Sequence, residues 1–113
     1  CWCAGSSPST ACSSSLEHRV RAGSLMIVGP SPLQQHRTCI SGRTCSVESL
    51  LGDGTSATGW FMVLETCGSA NLVHRFSSHG TRANVGASGA VAGWGTVPVT
   101  AAGGLYRLCW SSE

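Results

Sequence analysis

Trp60-Phe61-Met62-Val63-Leu64 is the most hydrophobic stretch of the chain, and the turn signal Gly52-Asp53-Gly54 precedes it. A short apolar run that contains aromatic and β-branched residues and is bounded by turn residues is typical of a buried strand. We therefore expect 60–64 to form a central β-strand.

Further short apolar or alternating segments flank this strand on both sides. Separated by Gly and Pro, they predict strands at 16–21, 25–28, 47–51, 71–76, 90–100 and 105–110. The run at 25–28 stops at Gly29-Pro30-Ser31-Pro32 and is expected to be buried. Since no segment shows a convincing 3.6-residue apolar period, we expect an all-β fold, an antiparallel sandwich of about seven to eight strands.

Length and composition limit the domain count and the partners. The chain has 113 residues, a length that predicts one folded domain over 1–113. With 11% charged residues and a net charge of +2, it lacks the basic surface of a nucleic-acid-binding protein, so no nucleic-acid partner is expected. No apolar run of about 18 residues is present, so no membrane span is expected. The hydroxyl-rich segment 1–15 is expected to be a linker or first strand. The lack of an initial Met or a leader predicts a piece of a longer chain.

The segment 97–109, Val-Pro-Val-Thr-Ala-Ala-Gly-Gly-Leu-Tyr-Arg-Leu-Cys, resembles the strand, corner and strand of immunoglobulin-like domains. In those domains a corner tyrosine is followed by a cysteine on the same strand. Here Cys109 follows Tyr106 by three residues instead of two, so strand alternation places the two side chains on opposite sides. The resemblance implies an Ig-like sandwich whose last strand lies within 104–110.

Seven cysteines cannot all pair within the chain, and all seven are disulfide candidates: Cys1, Cys3, Cys12, Cys39, Cys45, Cys67 and Cys109. Ser41-Gly42 offers a tight turn midway between two of them. We favour pairing of Cys39 with Cys45, of Cys3 with Cys12, and of Cys67 with either Cys1 or Cys109. Structural zinc is less favoured because Cys-x-x-Cys knuckles are missing, so no metal site is expected. Disulfides predict an oxidising, extracellular or cell-surface setting, and they would stabilise the fold.

The pair Cys-Trp stands at positions 1–2 and again at 109–110. Its recurrence over about the length of one Ig-type module predicts a boundary between modules of a tandem array. The residues assigned to this joint are Cys1, Trp2, Tyr106, Cys109 and Trp110.

No set of catalytic residues emerges from the motifs. The four histidines lie outside recognised catalytic or ligand spacings, and Asp53, the one aspartate, stands between two glycines in a predicted turn. The stretch 86–90 lacks the last glycine of Gly-x-Ser-x-Gly. We therefore expect no enzyme, no catalytic residues and no cofactor. Burial is favoured for Trp60 and Trp94, although exposed tryptophans could form a sugar-binding platform.

The chain has no Asn-x-Ser/Thr sequon, but its hydroxyl-rich tract is of the kind that carries O-linked sugar. An unmodified loop is the alternative. The candidate O-glycosylation sites, which include prolines open to modification, are Ser6, Ser7, Pro8, Ser9, Thr10, Ser13, Ser14, Ser15, Pro30 and Pro32.

Four motifs together resemble a family. They are Gly-Pro-Ser-Pro-Leu at 29–33, Arg-Thr-Cys-x-Ser-Gly-x-Thr-Cys at 37–45, Phe-Met-Val-Leu-Glu-Thr-Cys-Gly at 61–68 and Ala-Gly-Gly-Leu-Tyr-Arg-Leu-Cys-Trp at 102–110. This series is similar to the cysteine-rich repeats of large secreted proteins of algae and related protists, some of them mastigoneme-like fibril proteins. Such repeats usually end in Leu-Cys-Trp-Cys, and Ser111 replaces the second cysteine here, as expected of a terminal or divergent repeat.

The resemblance implies a structural module of an extracellular or cell-surface fibril that carries O-glycans. Its partners would be identical or similar modules in a head-to-tail homopolymer. The alternative is a surface adhesion or carbohydrate-binding module whose partner is a glycan.

Overall fold

A computed structural model describes residues 14–81 and 83–112. This part of the chain is mostly β, with seven short antiparallel strands in three small sheets. The strands are β1 (Gly29–Pro30), β2 (Ser46–Val47), β3 (Gly52–Asp53), β4 (Trp60–Leu64), β5 (Asn84–Val85), β6 (Ala92–Gly93) and β7 (Arg107–Ser111). Two 3-10 turns, at Ser15–Glu17 and Ser77–Gly80, are the helical elements among the described residues.

The three sheets differ in size and connectivity. β1 pairs with β3, β6 lies between β2 and β5, and β4 pairs with β7. The β4–β7 pair is the most extensive, since five residue pairs run from Trp60 opposite Ser111 to Leu64 opposite Arg107. This pair joins positions far apart in the sequence and forms one side of the core.

Alternation along β4 and β7 decides which side chains reach the core. Phe61 and Val63 are buried on β4, and they lie opposite Trp110 and Leu108, which pack against the same core cluster. Met62 lies opposite Cys109 on the other face. The two-residue period of a strand explains this division, because successive side chains point to opposite faces.

The core continues from this sheet toward β2 and β6. Val47, Ala92 and Trp94 are buried there, and the ring of Trp94 packs edge-on against Phe76 with centroids 5.4 Å apart. The indole Nε1 of Trp94 donates a hydrogen bond to the Gly80 carbonyl oxygen at 3.3 Å. The predicted burial of Trp94 is confirmed, whereas Trp60 is half-buried.

The predicted β character and the antiparallel pairing are confirmed for the described residues, which are mostly β. Two packed sheets are not seen there, because the strands divide among three small sheets and three of the four strand pairings involve only two residues per strand. The strand at 60–64 is confirmed at its predicted bounds. Its central position is wrong, since β4 belongs to a two-stranded sheet. Beyond that sheet, the described residues add an isolated bridge between Leu64 and Leu72 and a hydrogen bond from the Ala83 amide to the Phe61 carbonyl oxygen.

The prediction of a buried strand at 25–28 is wrong. Leu25, Met26, Ile27 and Val28 are 90%, 68%, 78% and 49% exposed, and the strand begins only at Gly29. A run of four apolar residues identifies a segment suited to burial, but burial also needs a partner surface, and the described part of the fold places none over this segment.

Other predicted strands are shorter than expected or displaced. The segment 16–21 begins in a 3-10 turn, 47–51 and 90–100 shrink to two-residue strands, and 71–76 contains one bridge residue. The last strand lies at Arg107–Ser111, close to the predicted 105–110. Gly52 and Asp53 pair with β1 instead of turning, and the left-handed residue is Gly54, with φ 63°. Frequent Gly and Pro explain the short pairings, because both residues interrupt strands.

Candidate functional site

The disulfide between Cys39 and Cys45 closes the tight turn that the sequence predicts. Their Cα atoms lie 5.4 Å apart, and Gly42 between them has φ 87°, a left-handed conformation that favours glycine. The Gly42 amide donates to the Val99 carbonyl oxygen at 2.7 Å, and the Val99 amide donates to Arg43 at 2.9 Å. The turn is therefore attached to the segment that follows β6, and Cys45 is buried in the core.

The second disulfide joins Cys67 to Cys109, with Cα atoms 5.6 Å apart. Of the two partners that the sequence left open for Cys67, the structure has Cys109. The bond lies on the face of the β4–β7 sheet opposite the core, because Cys109 is paired with Met62 and not with Phe61 or Val63. Since its sulfur is bonded within the chain, Cys109 does not offer a thiol to a neighbouring module.

Trp110, a predicted joint residue, packs within this domain. A Cβ built on Gly29 would lie 3.2 Å from the Trp110 ring, and one built on Gly59 would lie 2.7 Å from its Nε1. The indole thus occupies a slot between two glycines. Its Nε1 is buried and has no hydrogen-bond partner among the described residues. Cys1 and Trp2, the other half of the predicted joint, lie outside the described residues.

Tyr106, the predicted corner tyrosine, bonds to the backbone of the loop that precedes it. Its hydroxyl donates a hydrogen bond to the Ala102 carbonyl oxygen, four residues upstream, at 2.8 Å. Tyr106 packs against the core beside Leu108, whereas Cys109 lies on the outer face. The opposite orientation of Tyr106 and Cys109 is the one that their three-residue spacing predicts.

An apolar cleft of about 310 Å³ opens into the core beside this corner. Its floor is built from Val63, Phe76, Trp94 and Val99. One wall is the corner with the start of β7, residues 101–108, and the other wall is the segment 33–37. Sequence reasoning missed this cleft, because its lining comes from four separated stretches of the chain.

Two polar side chains fix the 33–37 wall to the loop at 48–51. Gln35 makes a reciprocal amide pair with Leu51, since its Nε2 donates to the Leu51 carbonyl oxygen and its Oε1 accepts from the Leu51 amide, both at 2.7 Å. Arg37 donates to the carbonyl oxygens of Glu48 and Ser49. These contacts occupy hydrogen-bond donors of the guanidinium within the protein. Arg37 therefore stabilises the position of the wall and is not a free cation.

The predicted modification sites are partly accessible. Ser14, Ser15 and Pro32 are exposed. Pro30 is half-buried and pairs with Gly52 in the β1–β3 sheet. The remaining candidates, together with Cys3 and Cys12, lie outside the described residues: Ser6, Ser7, Pro8, Ser9, Thr10 and Ser13.

The titratable side chains are spread over the described surface. His74 and His79 come nearest to forming a cluster, with ring centroids 6.4 Å apart. Among residues 14–81 and 83–112, no group of three or more His, Cys, Asp or Glu side chains is arranged to hold a metal ion. Within the same residues, no helix has the length and apolar character needed to cross a membrane.

Comparisons with protein-family models, with curated proteins and with solved structures each find no match to this chain.

Proposed function

We propose that the chain is a structural module of an extracellular fibril, in which identical or similar modules associate head to tail. The two disulfides among the described residues point to an oxidising environment, in which such bonds form and persist. The Cys39–Cys45 bond lies directly before β2, and the Cys67–Cys109 bond links β7 to the segment after β4. These links restrict the unfolded chain, so the module is suited to remaining folded outside the cell.

The observation that carries the proposal is the hydrogen bond from Tyr106 to the Ala102 carbonyl oxygen. A tyrosine whose hydroxyl donates a hydrogen bond to the backbone a few residues upstream is characteristic of the corner in immunoglobulin-like sandwiches. This contact supports an Ig-like arrangement of the last strand. Ig-like modules are common in extracellular proteins, where their function is often mechanical or adhesive.

The proposal includes the resemblance to cysteine-rich repeats of algal and protist fibril proteins. O-glycans on exposed hydroxyl or modified proline side chains, such as Ser14, Ser15 and Pro32, would cover the fibril surface. The function of the chain would then be structural and not catalytic.

Sedimentation velocity and negative-stain electron microscopy of the oxidised chain test this function. We expect particles that lengthen with protein concentration and have one repeating width. Monomers at every concentration up to the solubility limit would contradict a head-to-tail module.

The alternative, a carbohydrate-binding module, has one observation in its favour. Trp60 is half-buried and lies on the β4 face opposite Phe61 and Val63. A glycan array separates the two functions. Saturable binding that is lost in Trp60→Ala and kept in Val97→Ala would support glycan binding, and no binding is expected for a structural module.

A further inference from the structure

The segment 25–28 is an apolar stretch that belongs to none of the described strands. Its four side chains are 49% to 90% exposed, and within the described residues its backbone makes no hydrogen bond. Monomeric proteins rarely expose apolar patches larger than a few hundred Å² unless the patch binds something. A continuous Leu-Met-Ile-Val run with no charged residue is suited to pairing with a sheet edge.

The cleft beside the corner is the complementary feature. Its floor consists of Val63, Phe76, Trp94 and Val99, all buried, and β7 forms part of its wall. β7 pairs with β4 along one edge, and no described strand pairs along the other. A strand laid on that free edge would make backbone hydrogen bonds while alternate side chains enter the cleft.

The segment does not enter the cleft of its own chain. None of residues 25–28 lines the cleft. The segment is fixed at its C-terminal end, because Gly29 pairs with Asp53, Trp110 packs on Gly29, and Val28 lies beside Gly54. The four apolar residues before this attachment lie outside the cleft and are 49% to 90% exposed, so they are available to another molecule.

We infer that the 25–28 segment of one copy adds to the free edge of β7 in a second copy and fills the apolar cleft there. A second copy is the occupant because this chain carries both complementary parts, an uncharged, exposed apolar segment and an apolar cleft of about 310 Å³. A cleft of that size is at the lower end of the range for ligand pockets, and it suits a few aliphatic side chains. Because the segment and the cleft are different surfaces, the contact is heterologous and propagates head to tail. The inference rests on the proposed function and specifies its contact.

Two variants separate donor from acceptor. Ile27→Asp places a charge in the donor segment and leaves the cleft intact, and Ala102→Trp obstructs the cleft mouth and leaves the donor intact. Both positions are exposed, so both variants are expected to fold. Leu16→Asp is the matched control, since Leu16 is also an exposed apolar residue, 78% accessible, but lies outside both surfaces.

Sedimentation velocity of the full chain measures the outcome. We expect each variant alone to associate about thirtyfold more weakly than the native chain, as for loss of a buried hot-spot side chain, and Leu16→Asp to associate like the native chain. An equimolar mixture of Ile27→Asp and Ala102→Trp should form one-to-one dimers and stop there, because each variant keeps one usable surface and the dimer occupies both. Absence of these dimers, or native association by Ile27→Asp, would overturn the inference.

Photocrosslinking locates the contact. A benzoylphenylalanine at position 26, in a mixture of light and nitrogen-15-labelled chains, should crosslink light to heavy molecules at residues 101–108. Crosslinks within one chain, or between chains at other residues, would count against the inference. If the chain still forms fibrils in that case, the proposed function stands and only its contact is wrong.

A synthetic peptide of residues 24–30 keeps the two proposals distinguishable. We expect it to bind Ile27→Asp protein and to change the fluorescence of Trp94, and not to bind Ala102→Trp protein. If it does so while the native chain stays monomeric, the cleft accepts the isolated segment, but the contact between copies and the fibril function are both wrong. Failure of the peptide to bind overturns the inference. Membrane binding by the segment would also overturn it: in that case Ile27→Asp abolishes binding of the chain to phosphatidylcholine vesicles and leaves self-association unchanged.

Discussion

At the residue scale, the packing of Trp110 depends on two positions without a side chain. Gly59 is buried, and its Cα lies so close to the indole that any Cβ would meet Nε1 at 2.7 Å. Contacts below 3.0 Å between a Cβ and ring atoms force a shift of one or the other. The indole is also confined by Gly29 on β1, so it has little freedom to move.

We expect Gly59→Ala to lower the free energy of unfolding by about 1–3 kcal/mol, the usual range for overpacking in a well-packed core. Gly103→Ala is the matched control, because a Cβ there meets no atom within 4 Å. Urea unfolding followed by tryptophan fluorescence measures both variants. Equal stability of the two would show that the Trp110 slot is not tightly packed.

At the element scale, the β4–β7 pair separates a core face from an outer face. Phe61 and Val63 reach the core with Leu108 and Trp110, and the Cys67–Cys109 disulfide lies on the opposite face. This arrangement lets one sheet contribute both apolar burial and a covalent link. The same Val63 forms part of the cleft floor, so the core face of β4 also determines the shape of the cleft.

Val63→Ala should destabilise the fold by roughly 2 kcal/mol, because Val63 is only 8% exposed and its methyl groups are in the core. Val97→Ala deletes the same atoms at a position that is 64% exposed, and it should change stability by less than about 0.5 kcal/mol. Equilibrium urea unfolding gives both values. Similar losses in the two variants would contradict the face assignment of β4.

At the scale of the whole molecule, the described residues contain two disulfides that close loops of very different length, and both stabilise a fold whose sheets are small. The Cys39–Cys45 bond closes a separation of 6 residues, and the Cys67–Cys109 bond closes one of 42. Strands of two residues contribute little pairing on their own, since isolated short pairs are marginal in water. Restriction of the unfolded chain is therefore a substantial part of the stability.

Replacing Cys67 and Cys109 together by Ala should cost about 4 kcal/mol, and replacing Cys39 and Cys45 together by Ala should cost about 2 kcal/mol in chain entropy, since the effect grows with the logarithm of the closed loop. Thermal unfolding of the two double variants beside the native chain tests the order. A larger loss for the 39–45 pair would show that local packing around buried Cys45, and not loop length, dominates.

The sequence by itself determined the features that depend on near neighbours. The strand at 60–64, the left-handed turn at Gly42 between Cys39 and Cys45, the burial of Trp94 and the opposite orientation of Tyr106 and Cys109 all follow from local composition and two-residue alternation. Each is set within a few residues of chain, so local preference and final structure agree.

Only the tertiary structure decided which distant segments meet. The sequence left Cys67 with two partners, and the register that places Met62 opposite Cys109 brings one of them within bonding distance. It also could not distinguish 25–28 from 60–64, because both are apolar runs, yet one pairs with β7 and the other is exposed. The physical reason is that hydrophobicity specifies a tendency to be buried, whereas the surface that buries a segment is supplied by residues far away in the chain.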